Sequence, residues 1–353
     1  MSVTMQDVAK LAGVSRQAVS AVFNNPENCR IPENTQQKIL KAAEECGYVP
    51  NAMARSLRGA ISHNIGIIGS APYFGASGSL FRCLVHSLKN VGHDIVYRIL
   101  DETPSNPQKI AREVEMKGVD GLIVLNSYFD YNCFNVPHVV LNNYEKYDVG
   151  CNRKIATYMA VNHLIEHGRK RIAHLFIHLD RMSMRIDGWK QAFLDNNIPV
   201  DENLIIEAKM FNFDYDNLVI LLKKLNVDGI ICQNDYVAGK VIKELLKRNI
   251  RVPEDIAIMG FDGATFVDFC EVPISTVVIP SKQIADKAIT LLLDRIANKT
   301  VKSKPKYIHV DPILYKSRSC GCEEAKTRAF PKINTFLSLE LDILENYNEN
   351  IYE

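Results

Sequence analysis

Arg16, Gln17 and Ser20 fall within one short run, Ser15-Arg16-Gln17-Ala18-Val19-Ser20. Helical spacing puts these polar side chains on the outer, N-terminal part of a helix. An arginine there can grip guanine O6 and N7 through two hydrogen bonds, and a glutamine can do the same for adenine N6 and N7. This is chemistry for reading base edges in a major groove. A second constellation lies in residues 50–59, where Leu57 stands between Arg55 and Arg58. An apolar side chain on a short helix, flanked by two cations, makes little sense as core. It suits a wedge between base steps in a minor groove, with the cations on adjacent phosphates.

These residues need a scaffold, and the sequence supplies one. Thr4 caps a first helix whose apolar positions Val8, Ala9, Leu11 and Ala12 recur at helical spacing. Gly13 breaks it and tolerates the backbone angle of a tight turn. Ser15 caps a second helix with Val19, Val22 and Phe23 facing inward, the arrangement of a helix-turn-helix reader. A third helix, over residues 33–46, offers Ile39, Leu40 and Ala43 to complete a small core and stops at Gly47. A plain three-helix bundle is the blander reading. The Leu57 segment following directly on the hairpin weighs against it.

Bulk charge contributes little. The 353-residue chain carries a net charge of +1, and residues 1–60 hold seven basic against five acidic side chains. Phosphate contact must come from a few placed cations, backbone amides and helix N-termini. Length predicts two or three domains. There is no run of about 18 apolar residues to span a bilayer. No basic-then-apolar leader opens the sequence, so a cytoplasmic location and reduced thiols are expected.

From residue 64 the texture becomes strand–helix alternation. Residues 65–69, 94–97, 121–125 and 138–141 read as short buried strands, with helices over 79–91, 107–117 and 153–167. The pattern repeats with strands 171–176, 204–208, 229–232 and 256–260 and helices 185–196, 214–225 and 235–248. Two such sets predict two lobes, each a doubly wound parallel sheet, with a ligand cleft beyond the strands' C-terminal ends. Ser70, Asn142, Asn143, Asn234 and Asp262 follow those strands, and Arg185 opens the helix containing Gly188-Trp189. A carboxylate, a guanidinium and several amides in one cleft suit a polyhydroxylated ligand. Each also has a plainer reading: Asn234 or Asp262 as a helix cap, Arg185 as a surface residue, and Trp189 as core.

The chain resembles the LacI/GalR family of transcriptional regulators. The resemblance rests on Asp7-Val8-Ala9, Ala12-Gly13-Val14-Ser15 and Val19-Ser20 in the reader. It continues in Gly47-Tyr48, Pro50-Asn51, Ala54-Arg55 and Leu57 at the hinge, and on to about residue 322. It implies an all-α helix-turn-helix domain over 1–50, a hinge helix over 51–60, and a two-lobed effector-binding and dimerisation domain over 61–322 of the periplasmic-binding-protein type. A C-terminal extension over 323–353 reads as an amphipathic helix. Thr4, Ser15, Arg16, Gln17, Ser20, Asn24, Asn51, Ala54, Arg55, Leu57 and Arg58 are the implied DNA-binding set, with Leu57 intercalating at the operator's central step. Ser70, Asn142, Asn143, Arg181, Arg185, Phe213, Asn234 and Asp262 are the expected effector set, with Phe211 an alternative to Phe213 as aromatic platform. Three departures stand out: Ala21 at a specificity position often large and polar, Asn142 where many relatives have aspartate, and Cys151-Asn152 where Asp-Asn is usual. The resemblance implies a homodimer on double-stranded operator DNA, controlled by a small-molecule effector, most readily a sugar or sugar derivative.

No catalytic constellation, phosphate-cradling loop or nucleophile elbow emerges, so neither an enzyme nor a cofactor is expected. His163 and His167 lie four apart beside Gly168-Arg169 and read as helix C-terminal residues favouring the dipole. Cys320-Gly321-Cys322 lacks a zinc-ribbon spacing and would need further ligands. No metal site is assigned. The rival of another class is a solute-binding protein of the sugar-transport type, which would need an export signal and have no use for residues 4–59.

Overall fold

The computed structural model describes residues 3–24, 29–48, 62–69, 75–100, 106–125, 133–141, 147–176, 183–207, 214–301, 304 and 306–323. Three helices open the chain: α1 (Met5–Ala12), α2 (Arg16–Asn24) and α3 (Glu33–Glu45). The Asp7 carboxylate accepts from both the Thr4 amide and hydroxyl, at 2.9 and 2.7 Å, tying down the first turn of α1. Gly13 ends α1 in the left-handed region with φ 66°, where a side chain on Cβ would be strained. Ser15 Oγ then accepts from Ala18 N at 3.1 Å and caps α2. Val8, Ala9, Val19, Val22, Ile39, Ala42 and Ala43 form the small core, with Phe23 edge-on to Tyr48. Two expected core positions are corrected. Leu11 is 54% and Leu40 50% exposed, because Ala42 rather than Leu40 faces α1 and α2.

Two six-stranded sheets follow. Along the chain run β1 (Asn64–Gly69), α4 (Gly75–Asn90), β2 (Asp94–Ile99), α5 (Pro107–Glu115), β3 (Gly121–Leu125), β4 (His138–Leu141), β5 (Val149–Cys151) and α6 (Arg153–Glu166). Then come β6 (Ile172–Phe176), α7 (Ser183–Asp195), β7 (Ile205–Glu207), α8 (Tyr215–Lys224), β8 (Gly229–Cys232), α9 (Asp235–Leu246) and β9 (Ala257–Asp262). The remainder is β10 (Ser275–Val278), α10 (Ser281–Ala297), β11 (Ile308–Val310) and β12 (Ile313–Tyr315). Sheet order is β11-β5-β4-β3-β1-β2 in the first lobe and β12-β10-β9-β8-β6-β7 in the second, all pairs parallel except β10 with β12. The alternation read from the sequence is therefore present. The short strands β5, β10, β11 and β12 and the helix α10 were not anticipated.

Those unanticipated elements connect the lobes. The chain leaves the first sheet after β5, returns from β10 into α10, which packs on α4 and β4, and crosses again between β11 and β12. Three connections of this kind let two rigid bodies rotate against each other without unfolding either. A buried ion pair pins the first-lobe side. Arg295 on α10 meets Asp148 at 2.6 and 2.9 Å and donates to the His138 carbonyl, while Asp148 also accepts from Val140 N and Lys306 N.

Candidate DNA reader and effector site

Arg16 and Gln17 are exposed on the first turn of α2, and Ser20 one turn on is half-buried. The Gly13 turn and the Ser15 cap fix where α2 starts, so they fix which side chains it presents. Thr4 is committed to Asp7 at the start of α1. Asn24 ends α2. Asn51, Ala54, Arg55, Leu57 and Arg58 lie outside the described residues, as do Ser70, Asn142, Asn143, Arg181, Phe211 and Phe213.

Three of the expected effector residues do converge. Arg185, in the first turn of α7, is only 3% exposed, which overturns its reading as a surface residue. Its Nη1 donates to the Gln233 carbonyl at 2.7 Å, just past the end of β8, and its guanidinium sits over the Phe261 ring at 3.7 Å. A cation in this desolvated setting is held by a carbonyl and the negative face of an aromatic ring. The charge also reaches the end of β5: burial pushes the Cys151 thiol up to about 12, opposed by Arg153 and Arg185. Arg185 thus stands near the C-terminal ends of β8 and β9, where ligands of parallel sheets bind.

Asn234 and Asp262 occupy the two loops next to it. Asn234 Oδ1 accepts from Val237 N at 2.9 Å, so it is the N-cap of α9, the plainer of its two readings. Asp262 closes β9 with φ 104°, a conformation rare outside glycine, and Gly263 follows at φ 78°. Backbone strain of this kind persists only where surrounding structure enforces it, and it clusters at functional sites. Asp235 supplies part of that enforcement. Its Oδ2 accepts from Ala264 N at 2.6 Å, anchoring the loop after β9. Burial, reinforced by the charge of Asp262, raises its carboxyl to about 8, so it is largely protonated at neutral pH.

One residue escaped the sequence reading. His174, on β6, is fully buried, and both ring nitrogens lack hydrogen-bond partners among the described residues. Burial holds its imidazole well below the ordinary range, and the Arg185 charge pushes the same way. The signal was a lone polar residue in Ile172-Ala173-His174-Leu175-Phe176, an otherwise apolar strand. Trp189 is core as expected, fully buried with Nε1 donating to the Ile172 carbonyl at 3.0 Å.

α7 reaches this position by close contact with α6. A Cβ added at Gly188 would come within 2.2 Å of the Lys154 carbonyl oxygen, so only glycine lets the two backbones approach. Asn152 in turn caps α6, accepting from Lys154 N and Ile155 N at 3.1 Å. No helix among the described residues is long and apolar enough to cross a membrane.

Comparison with known proteins agrees with this architecture. Residues 4–51 match the family described as bacterial regulatory proteins, lacI family, and residues 161–318 match a periplasmic binding protein-like domain. The HTH-type transcriptional repressor PurR of Vibrio atlanticus (strain LGP32) is 31% identical over 319 residues, covering 84% of this chain and 92% of the relative. PurR of Actinobacillus pleuropneumoniae serotype 3 (strain JL03) is 30% identical, covering 90% and 98% respectively. Among solved structures, the lac repressor dimer bound to operator and the anti-inducer ONPF superposes with a TM-score of 0.76 at 22% identity, covering 91% of this chain and 99% of that one. A transcriptional regulator CelR–cellobiose complex gives 0.60 at 22% identity, covering 90% and 99%. The chain belongs to the lacI family of bacterial regulatory proteins, and it is a DNA-binding transcriptional repressor.

Proposed function

We propose that this repressor binds a two-fold operator as a homodimer and that a small molecule held around Arg185, between the lobes, sets its operator affinity. The buried Arg185 guanidinium, bracketed by Gln233 and Phe261, is the observation that carries the reading. One reader unit contacts too few bases for high specificity, so two related by symmetry are required. Arg16 and Gln17 read base edges. The hinge over 51–60 presents Leu57 as the wedge, with Arg55 and Arg58 on the phosphates. Effector binding changes the angle between lobes joined by three connections, and this moves the two hinges relative to each other.

The effector is a sugar or sugar derivative. Arg185 and Asp262, from neighbouring elements, bring donors and an acceptor that suit a polyhydroxylated ligand, and the solved relative bound to cellobiose shares the fold. A thermal-shift panel of sugars, sugar phosphates and nucleosides tests this. A ligand at about 100 times its Kd stabilises the protein by about 2.7 kcal/mol. A response to nucleosides alone sinks the sugar assignment and leaves the cleft standing. A response undiminished in Arg185→Ala sinks the cleft. Leu57→Ala, measured by anisotropy on an operator selected from random duplexes, is expected to weaken specific binding strongly without altering effector affinity. Undiminished operator binding overturns the wedge.

A further inference from the structure

His163 and His167, one turn apart at the C-terminal end of α6, meet Cys320 and Cys322 from the far end of the second lobe. Cys322 Sγ lies 3.4 Å from His167 Nε2 and 3.6 Å from His163 Nε2, and Cys320 Sγ lies 3.2 Å from His163 Nε2. One ligand atom each from His163, His167 and Cys322 falls within 4.8 Å of the others. Zinc bonds of about 2.3 Å to sulfur and about 2.0–2.1 Å to nitrogen give a tetrahedron whose sulfur–nitrogen edges are about 3.6 Å. The three measured edges are within a few tenths of that value. We propose that His163, His167 and Cys322 hold a zinc ion, with the neighbouring Cys320 thiol, now bonded to the Ser317 carbonyl, swinging in as the fourth ligand of a two-histidine, two-cysteine site.

The local structure explains how four ligands separated by more than 150 residues come together. Ser319 Oγ donates to the Ile258 carbonyl at 2.7 Å and accepts from Ser275 N at 2.8 Å, which fastens the turn Arg318–Cys320 to β9 and β10. Gly321 then adopts φ 99°, and a Cβ there would stand 3.5 Å from His167 Nδ1. A residue with no side chain in the left-handed region brings both flanking thiols toward α6. His163 is buried, and its other ring nitrogen faces the Glu166 carboxylate at 3.9 Å. Soft thiolates with imidazoles select zinc over magnesium or calcium. Binding releases both thiol protons to solvent.

With Cys320 drawn in as fourth ligand, protein fills all four positions, which gives the ion a structural role. It clamps the end of the second lobe, one residue before the extension begins, onto α6, the helix against which Gly188 seats α7 and Arg185. On this proposal the two histidines are ligands as well as helix-end residues. Sequence spacing shows the two pairs separately and cannot show that they meet.

The full-length chain purified under reducing conditions, stripped with chelator and titrated with Zn²⁺ or Co²⁺, tests the site. The expected result is one equivalent of Zn²⁺, a Co²⁺ spectrum with tetrahedral d–d bands and thiolate charge transfer, and a rise in Tm on Zn²⁺ addition. Cys322→Ser, a near-isosteric change at a half-buried position, and His167→Gln, at an exposed one, are expected to fold and to lose the stoichiometric binding and the Tm response. Zn²⁺ uptake unchanged in both variants, no uptake by the reduced wild type, or a Cys320–Cys322 disulfide resistant to mild reductant overturns the proposal.

Discussion

The Arg185 guanidinium lies over the ring of Phe261, 3.7 Å from its centroid, while its Nη1 is held by the carbonyl of Gln233. α7 thereby touches the ends of both β8 and β9 through one side chain. Phe261→Leu keeps most of the volume and removes the π face. A desolvated cation–π contact is worth about 0.5–2 kcal/mol, so effector affinity is expected to fall roughly two- to thirty-fold. Operator affinity without effector stays unchanged. Calorimetric titration of the effector beside operator anisotropy separates the two. Equal loss in both assays means that Phe261 supports the fold and not the site.

Asp235 makes stability depend on pH in a specific direction. Its carboxyl is raised from 3.8 to about 8 in the folded protein, chiefly by burial and then by Asp262. Above the unfolded value, the unfolded state gives up this proton while the folded state keeps it. The group therefore costs stability progressively as pH rises from about 4 to about 8, and the cost levels off beyond. Asp235→Asn cannot ionise and is expected to gain Tm relative to wild type across that window, with the gap constant above it. A gap independent of pH would mean that Asp235 ionises normally.

Gly188 and Gly260 are both intolerant of a methyl group, for different neighbours. At Gly188 the obstacle is the Lys154 carbonyl oxygen at 2.2 Å, and at Gly260 the Asp235 Oδ1 at 2.1 Å. Neither can move aside cheaply, since one is backbone and the other is buried. Alanine at either position is expected to cost about 1–3 kcal/mol by overpacking, read as a lower denaturation midpoint. Gly188→Ala also pushes α7 off α6 and is expected to weaken the effector response. An alanine variant as stable as wild type would refute the close approach.

The reader was legible because its signals are local. Thr4, Gly13 and Ser15 mark helix ends within a few residues of the side chains they position, and the prediction for α1 and α2 needs nothing from elsewhere. The alternating strands were legible for the same reason. Leu11 and Leu40 were misassigned because periodicity locates an apolar stripe without saying where its edge lies, and alanines can fill a small three-helix core. β5, β11 and β12 are three residues each, too short to carry a period. His174 and the histidine–cysteine cluster were missed because their meaning comes from what the fold brings beside them.

Arg16→Ala and Gln17→Ala test which side chains read the operator. Both are exposed on the first turn of α2, so neither substitution is expected to shift Tm. A bidentate base contact discriminates by about 1–3 kcal/mol, so each variant is expected to lose that much operator affinity and to relax preference at its own base pair. Binding selections with each variant check this. Uniform weakening over all sequences, with a shallower salt dependence, would instead assign the residue to phosphate.

Arg295→Met tests how the first lobe is fastened. Arg295 is 3% and Asp148 0% exposed, so removing the cation leaves a carboxylate with no access to water. Breaking such a pair from one side costs about 3–5 kcal/mol, and the loss is expected as a large fall in Tm. Adding Asp148→Leu removes the stranded charge but does not restore wild-type stability, because Asp148 also accepts from Val140 N and Lys306 N. Those two amides, one in β4 and one at the approach to β11, would then be left to find other acceptors. Full recovery in the double variant would mean that the pair, and not the amide network, is what Asp148 contributes.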